Sequence, residues 1–134
     1  MIEESVCLLG VSVNSQDYHQ VLTQIAQTVT AEGRFLIAHA NIRGLNQAYN
    51  HAWLRDFYNR ADWVYCDGMG VKLGARLLGV SGMERFTLAD WISPLSEMCA
   101  RQGFRMYLLG GAPGVAHKAA DKLLHNHPCL LYTS

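Results

Sequence analysis

Asp67 is the residue best placed for acid–base chemistry. It follows the apolar run Trp63-Val64-Tyr65-Cys66 and begins the turn Asp67-Gly68-Met69-Gly70. A partly desolvated carboxylate at the end of a buried strand can act as a general base. Spacing alone favours the alternative that Asp67 caps the helix beginning near Gly70, a common role of Asp. Gly68 and Gly70 weigh against a cap alone, because two glycines beside an Asp indicate positive φ angles or close approach of a ligand to the backbone.

A second glycine-rich turn, Gly110-Gly111-Ala112-Pro113-Gly114, follows the strand-like residues 105–109 and precedes a helical pattern. Its backbone N–H groups and the helix N-terminus could bind a diphosphate. The segment is neither Gly-x-Gly-x-x-Gly nor a P-loop, so the common mononucleotide and dinucleotide fingerprints are excluded. An ordinary turn between strand and helix, with Pro113 near the first helical position, explains the segment equally well.

Four further polar residues are candidates for substrate binding. His39 and Asn41 end a short apolar run and face the same side if the chain stays extended. Either could bind a substrate hydroxyl, and His39 could also transfer a proton, although its position alone favours a structural hydrogen bond. Arg85 could bind a phosphate through its guanidinium fork or pair with Asp90, and the spacing leaves both interpretations open.

Apolar runs alternate with helical patterns along the chain, which indicates parallel βαβ construction. A first strand or hairpin is predicted at residues 6–13, and further strands are predicted at 35–38, 63–66, 105–109 and 129–132. Helices are predicted between Asp17 and Gly33, over 42–60 with a break near Asn50, and then up to Gly79, Gly103 and Leu124. We therefore predict one α/β domain over residues 1–134, with a mostly parallel, Rossmann-like sheet flanked by helices. Ligands of open α/β sheets bind beyond the carboxyl ends of the strands, so the candidate residues are expected to share one crevice.

Within the segment 42–60, the helical period predicts that Leu45, Ala48, Tyr49, Leu54 and Phe57 face inward. Cys7 and Cys66 lie in apolar runs and are expected to be buried free thiols, which fit a reducing cytoplasm.

Composition limits the class of protein. The 134 residues are half hydrophobic and 16% charged, which is typical of one globular domain. The 11 basic and 11 acidic residues balance, and the basic ones are scattered, so no nucleic-acid partner is expected. The four cysteines form no Cys-x-x-Cys pair, so neither a metal site nor a cofactor is predicted. No apolar stretch approaches the roughly 20 residues of a membrane span, so we expect a soluble or peripheral protein.

Over about residues 36–128 the chain resembles the WecG/TagA/CpsF family, glycosyltransferase family 26. The resemblance rests on several motifs in order: Ala40-Asn41, Leu54-Arg55, Ala61-Asp62, Asp67-Gly68-Met69-Gly70-Val71, Ala75-Arg76-Leu77-Leu78-Gly79, the segment 85–91, the segment 108–116, and Ala119-Ala120-Asp121-Lys122-Leu123 before Pro128.

The resemblance implies an inverting, metal-independent transfer from a UDP-sugar, typically UDP-N-acetylmannosamine, to a polyprenyl-diphosphate-linked saccharide. Such reactions build teichoic-acid linkage units, enterobacterial common antigen and exopolysaccharides. Asp67 takes the position of the family's base and Asn41 that of its sugar-contacting Asn. His39 stands where a Thr is usual, and Leu88 where a Gly is common, which indicates a different donor such as a glucosyl or glucuronosyl nucleotide. The implied catalytic residue is Asp67, and the substrate-binding residues are His39, Asn41, Gly68, Gly70, Arg85, Asp90, Gly110, Gly111 and Gly114.

Family membership also implies a cytoplasmic protein held at the inner face of the cell membrane. Members carry a C-terminal segment that engages the membrane; we expect this chain to lack it, to be inactive as it stands, and to end in residues 129–134 that are not native. The main alternative is a non-catalytic module that binds UDP or another nucleotide. An NAD-dependent oxidoreductase is disfavoured by the absent fingerprint. Monomer, dimer and trimer all stay open.

Overall fold

The computed structural model describes residues 5–133. The chain divides into two compact units, the first ending at Thr87 and the second beginning at Leu88. The first unit contains β1 (Ser5–Leu8), β2 (Val11–Asn14), α1 (Tyr18–Thr30), β3 (Ile37–Ala40), α2 (Ile42–Asn50), α3 (Ala52–Asn59), β4 (Trp63–Cys66) and α4 (Met69–Leu77). The second contains α5 (Leu88–Gln102), β5 (Arg105–Tyr107), α6 (Val115–Asn126) and β6 (Leu131–Thr133).

Among the described residues, backbone hydrogen bonds join the strands into three two-stranded sheets. β1 and β2 form an antiparallel hairpin, whereas β3 pairs with β4 and β5 with β6 in parallel. The prediction of a mixed α/β fold, with short parallel sheets flanked by helices, is confirmed. A single continuous Rossmann-like sheet stays a prediction.

Side-chain amides attach the hairpin to the rest of the first unit. Asn14 accepts a hydrogen bond through Oδ1 from the Val64 backbone N–H at 2.8 Å. Asn59 donates through Nδ2 to the Gly10 carbonyl at 2.8 Å and accepts the Ser12 N–H at 3.1 Å. These bonds satisfy backbone groups that an edge strand would otherwise leave unpaired.

The core of the first unit is built around β4, all four residues of which are buried. A continuous apolar run of this kind is typical of a strand covered on both faces. Leu45 and Ala48 of α2 and Val71 and Ala75 of α4 belong to the same core. Burial of each Val or Leu side chain stabilises the fold by about 1.5–3 kcal/mol relative to an exposed position.

Two expectations about burial are wrong. Tyr49 and Phe57 are exposed, and Tyr58 is buried instead, with its hydroxyl donating to the His39 carbonyl at 3.1 Å. In α2 the buried face is that of Leu45 and Ala48, and Tyr49 lies one position beyond it. In α3, after the break at His51, Tyr58 faces inward in place of its neighbour Phe57. Cys7 is exposed, because the strand alternation directs its neighbours Val6 and Leu8 into the core.

The second unit contains a crossover in which α6 connects the parallel strands β5 and β6. α5 is followed by Gly103, whose φ of 69° lies in the left-handed region that favours glycine after a helix. Ser96 is the buried polar residue of α5, and its hydroxyl donates to the Ile92 carbonyl one turn earlier at 2.8 Å.

Candidate active site

The parallel pairing of β3 with β4 brings two candidate residues to the same edge of the sheet. Ala40 pairs with Cys66, and the next amide, that of Asp67, donates to the Ala40 carbonyl at 2.9 Å. The ladder therefore continues one residue beyond β4. Asn41 and Asp67 consequently lie side by side at the carboxyl ends of the two strands, where ligands of α/β sheets bind.

Asn41 is the N-cap of α2. Its backbone is extended, with φ −120° and ψ 168°, and its Oδ1 accepts the Gly44 N–H at 2.8 Å. This bond satisfies one of the N–H groups that the first helical turn leaves without a partner. The cap uses only the carbonyl oxygen of the amide, so the two N–H donors of Nδ2 lie outside this bond.

Asp67 is half-buried, and it is not the cap of the helix that follows it. α4 begins at Met69 and its N-cap is Gly68, whose φ of 169° is ordinary extended backbone. The extended Gly68 separates Asp67 from the first helical turn, so the alternative that Asp67 serves as N-cap is wrong. Asp67 is held instead by its backbone bond to the Ala40 carbonyl.

Neither glycine of this turn has the conformation expected of it, because neither lies in the left-handed region that favours glycine. A Cβ at Gly70 would lie 2.5 Å from Cγ1 of Ile42, and one at Gly68 would lie 3.8 Å from Cβ of Asn41. The close approach at Gly70 is therefore made by the first residue of α2, and not by a ligand. The two strand-to-helix turns pack directly against each other.

The segment before Thr87 lines the other side of the end of β4. The Phe86 N–H donates to the Cys66 carbonyl at 2.9 Å, which places the exposed Arg85 next to the strand end. Backbone bonds thus hold the neighbours of Asp67 on both sides, through Ala40 and through Phe86.

The sequence analysis missed Lys72. Its amide donates to the Gly68 carbonyl at 3.2 Å, and its half-buried side chain lies on the first turns of α4. Side chains of a helix lean toward its N-terminus, here toward Asp67. A Lys at this end opposes the helix dipole, and this local conflict is the signal that could have identified it.

The pKa of the buried Cys66 thiol depends on the charges around the end of β4. Burial raises its pKa, the positive charges of Lys72 and Arg85 act to lower it, and the charge of Asp67 acts to raise it. Two cations and one carboxylate therefore lie within electrostatic reach of one atom. An arrangement of this kind can bind an anionic ligand beside a general base.

His39 is exposed on β3, opposite Tyr65 in the ladder, and the two ring centroids are 6.2 Å apart. The chain is still extended at Asn41, so the condition for His39 and Asn41 to face the same side is met. The His39 carbonyl accepts the Tyr58 hydroxyl, which leaves the imidazole outside that bond.

In the second unit, the turn after β5 contains three glycines in the left-handed region: Gly110 (φ 132°), Gly111 (φ 77°) and Gly114 (φ 86°). Gly114 is the N-cap of α6, so Pro113 lies before the cap and not near the first helical position. All five residues of the turn are exposed. Asp90 is exposed in the first turn of α5. A crevice shared by these residues and Asp67 stays a prediction.

Other surface features lie away from these residues. One cavity of about 460 Å³ is lined by Trp53, Asp56 and Asn59 of α3 and by Arg60, the residue after it. Within residues 5–133, no three His, Cys, Asp or Glu side chains form a group that could hold a metal ion. None of the helices in the described part of the chain is long and apolar enough to cross a membrane.

Comparison with protein families gives one match, to the Glycosyl transferase WecG/TagA/CpsF family over residues 6–133. The match covers both units and every candidate residue, so the chain belongs to this family. A search of curated proteins found no match.

Proposed function

We propose, from the membership of this chain in the WecG/TagA/CpsF glycosyl transferase family, that it transfers a sugar from a UDP-sugar to a polyprenyl-diphosphate-linked saccharide with inversion. The family supports a glycosyltransferase of cell-surface polysaccharide synthesis. The identity of donor and acceptor, the inversion, independence of metal and a complete Rossmann-like sheet are parts of the proposal.

The observation that carries the proposal is the position of Asp67. Its amide is bonded to the end of β3, so this half-buried residue lies beside Asn41 at the edge of the parallel sheet. Inversion needs one base that removes the proton of the acceptor hydroxyl as its oxygen attacks the anomeric carbon. A carboxylate on a fixed backbone is suited to that role, since its direction is set before substrate binds.

The donor sugar is proposed to contact His39 and Asn41. The Nδ2 donors of Asn41 suit a hydroxyl or carbonyl oxygen of the sugar, and the cap bond through Oδ1 fixes their direction. The imidazole of His39 is larger than the Thr that is usual there, which supports a donor other than UDP-N-acetylmannosamine, of glucosyl or glucuronosyl type.

The leaving UDP develops negative charge on its diphosphate as the glycosidic bond breaks. Arg85 and Lys72, the two cations near Cys66, are proposed to stabilise that charge in the first unit. Gly68 and Gly70 would border the bound donor there. In the second unit, backbone N–H groups of the turn with Gly110, Gly111 and Gly114 are the proposed diphosphate contacts, and Asp90 is the proposed contact for a sugar hydroxyl.

A polyprenyl-linked acceptor is confined to a bilayer, so the protein is proposed to work at the cytoplasmic face of the membrane. Association of copies into a homo-oligomer is compatible with the proposal and is not needed for its chemistry.

The test combines ligand binding with turnover. UDP and UDP-sugars should raise the melting temperature, whereas NAD should not. Asp67→Asn should lower the rate of UDP release with a lipid-diphosphate-sugar acceptor by about 10²- to 10⁴-fold, because the amide cannot accept the proton. The matched control is Asp56→Asn, which removes an exposed carboxylate of the same unit on α3.

Full turnover by Asp67→Asn would remove Asp67 from the reaction. Stabilisation by UDP without sugar transfer in any complete form of the protein would favour a non-catalytic UDP-binding module. Stabilisation by NAD alone would overturn the proposal.

A further inference from the structure

One face of α4 exposes a row of large apolar side chains. Met69, Leu73 and Leu77 are spaced four residues apart, and 66%, 58% and 79% of their surfaces are exposed. Residues at this spacing lie along one side of a helix. The opposite side already packs into the core through Val71 and Ala75, so the exposed row is not needed to hold α4 in place. We call Met69, Leu73 and Leu77 the α4 stripe.

Ile42 extends the α4 stripe sideways. It packs on Gly70, the residue after Met69, and is itself 46% exposed. Gly70 has no side chain that would separate Ile42 from the stripe. The result is a contiguous apolar surface made by two helices, and such surfaces mark sites of association with protein or membrane.

Cations border the α4 stripe on the side away from Ile42. Lys72 and Arg76 lie one turn apart on α4, and Arg76 is exposed. The sequence of α4, Met-Gly-Val-Lys-Leu-Gly-Ala-Arg-Leu, contains no acidic residue. Two-fold pairing of this helix with a second copy would bring like charges together with no carboxylate on α4 to neutralise them. An anionic surface is the better electrostatic complement.

We propose that the α4 stripe and Ile42 lie on the surface of an anionic lipid bilayer. The combination of apolar side chains with bordering Lys and Arg is that of helices that lie in the interface plane. The inference rests on the proposed lipid-linked acceptor, and it adds which surface faces the membrane: the stripe begins at Met69, two residues after Asp67. In this orientation the candidate base lies close to the headgroups, where the acceptor diphosphate is held.

The test is flotation of the protein with vesicles of phosphatidylcholine that contain about one-third phosphatidylglycerol, with pure phosphatidylcholine as comparison. The double variant Leu73→Gln/Leu77→Gln should bind the anionic vesicles at least about tenfold more weakly, because two apolar side chains are no longer buried in lipid. Arg76→Gln should weaken binding about fivefold, and added salt should reduce that difference.

The matched control is Val29→Gln/Leu109→Gln, which changes two exposed apolar residues outside α4 and should leave vesicle binding unchanged. Equal loss in the control, or unchanged binding in the α4 double variant, overturns the proposal. So does a shift in oligomeric state of the α4 variant with unchanged vesicle binding, which would make the stripe a protein interface.

Thermal shift by UDP separates this proposal from the proposed function. Loss of vesicle binding with an unchanged UDP shift supports the α4 surface. Vesicle binding through α4 without any response to UDP would leave the surface assignment standing and remove the glycosyltransferase proposal.

Discussion

The two glycine-rich turns, residues 67–70 in the first unit and 110–114 in the second, use their glycines for different physical reasons. In the first turn neither Gly68 nor Gly70 is left-handed, and Gly70 is needed because Ile42 occupies the space of a side chain. In the second turn three glycines are left-handed, and around Gly110 and Gly114 nothing lies within 4 Å of an added Cβ.

Glycine-rich turns after strands are therefore not all one kind of site. The first turn is tightly packed against a neighbouring turn and fixes the backbone of Asp67. The second is fully exposed and left-handed at all three glycines, although a Cβ at Gly111 would lie 3.0 Å from Val115. A packed turn is suited to hold a base in one direction, whereas exposed left-handed backbone is suited to wrap around a phosphate.

The largest expected effect is that of Gly70→Ala. The new Cβ would meet Ile42 at 2.5 Å, so the free energy of unfolding should fall by about 1–3 kcal/mol. In an Ile42→Ala background the clash is relieved. There Gly70→Ala should raise the free energy of unfolding by up to about 1 kcal/mol, because Ala has a better helix propensity than Gly. Chemical denaturation of the four proteins of this double-mutant cycle measures the coupling.

Gly114→Ala is the comparison for that cycle. It should lower the free energy of unfolding by about 1–2 kcal/mol, because Gly114 has a left-handed φ, and the loss should be equal in both Ile42 backgrounds. An identical cost of Gly70→Ala with and without Ile42 would show that packing does not distinguish the two turns.

The next effect concerns the cap of α2. Asn41→Ala should lower the free energy of unfolding by about 1 kcal/mol through loss of the bond to Gly44, and Asn41→Asp should restore most of it. If the Nδ2 donors contact the sugar, Asn41→Asp should nevertheless bind the UDP-sugar more weakly than wild type, as measured by calorimetry. Normal affinity of the Asp variant would limit Asn41 to a structural role.

The smallest expected effect is a change in pKa that distinguishes the two buried thiols, Cys66 and Cys99. Burial raises the pKa of Cys66 and of Cys99, but only at Cys66 do Lys72 and Arg85 oppose that rise. Lys72→Gln should therefore raise the pKa of Cys66 further and leave that of Cys99 unchanged. The pH dependence of alkylation at each thiol, followed by mass spectrometry, measures both. A parallel shift at Cys99 would mean that the variant loosens the fold instead of changing the local charge.

Because the pKa values of the Cys66 and Cys99 thiols are raised in the folded state, they also determine whether stability rises or falls with pH. The thiols of Cys66 and Cys99 contribute stability that is present below their ordinary pKa of 9.0 and is lost as pH rises through the folded pKa. Stability should accordingly fall in alkaline solution.

Local pattern was enough to predict β4 and the turn that begins at Asp67, because a strand covered on both faces reads as an unbroken apolar run. β3 was predicted at residues 35–38 and is found at Ile37–Ala40. The reason is tertiary: the Leu36 N–H and carbonyl are bonded to the side chain and backbone of Asp62, so the ladder starts one residue later.

The candidate site was predictable in Asp67, Asn41 and Arg85, but not in its second cation, Lys72. Lys72 comes close to the candidate site because the first turn of α4 brings its N–H onto the Gly68 carbonyl. No spacing rule in the sequence describes that placement. Likewise, Gly70 could not be assigned to packing from sequence, since its neighbour Ile42 is 28 positions away in the chain.

The hydrogen bonds that backbone amides make on either side of the end of β4 have a consequence for the dynamics of this region. The N–H groups of Asp67 and Phe86 are both engaged with strand carbonyls. Their protons should therefore exchange with solvent only when the sheet itself opens, although both residues lie at its rim. The backbone of the candidate base Asp67 would then be among the last parts of the first unit to fluctuate, so a ligand would meet a backbone that needs no ordering on arrival.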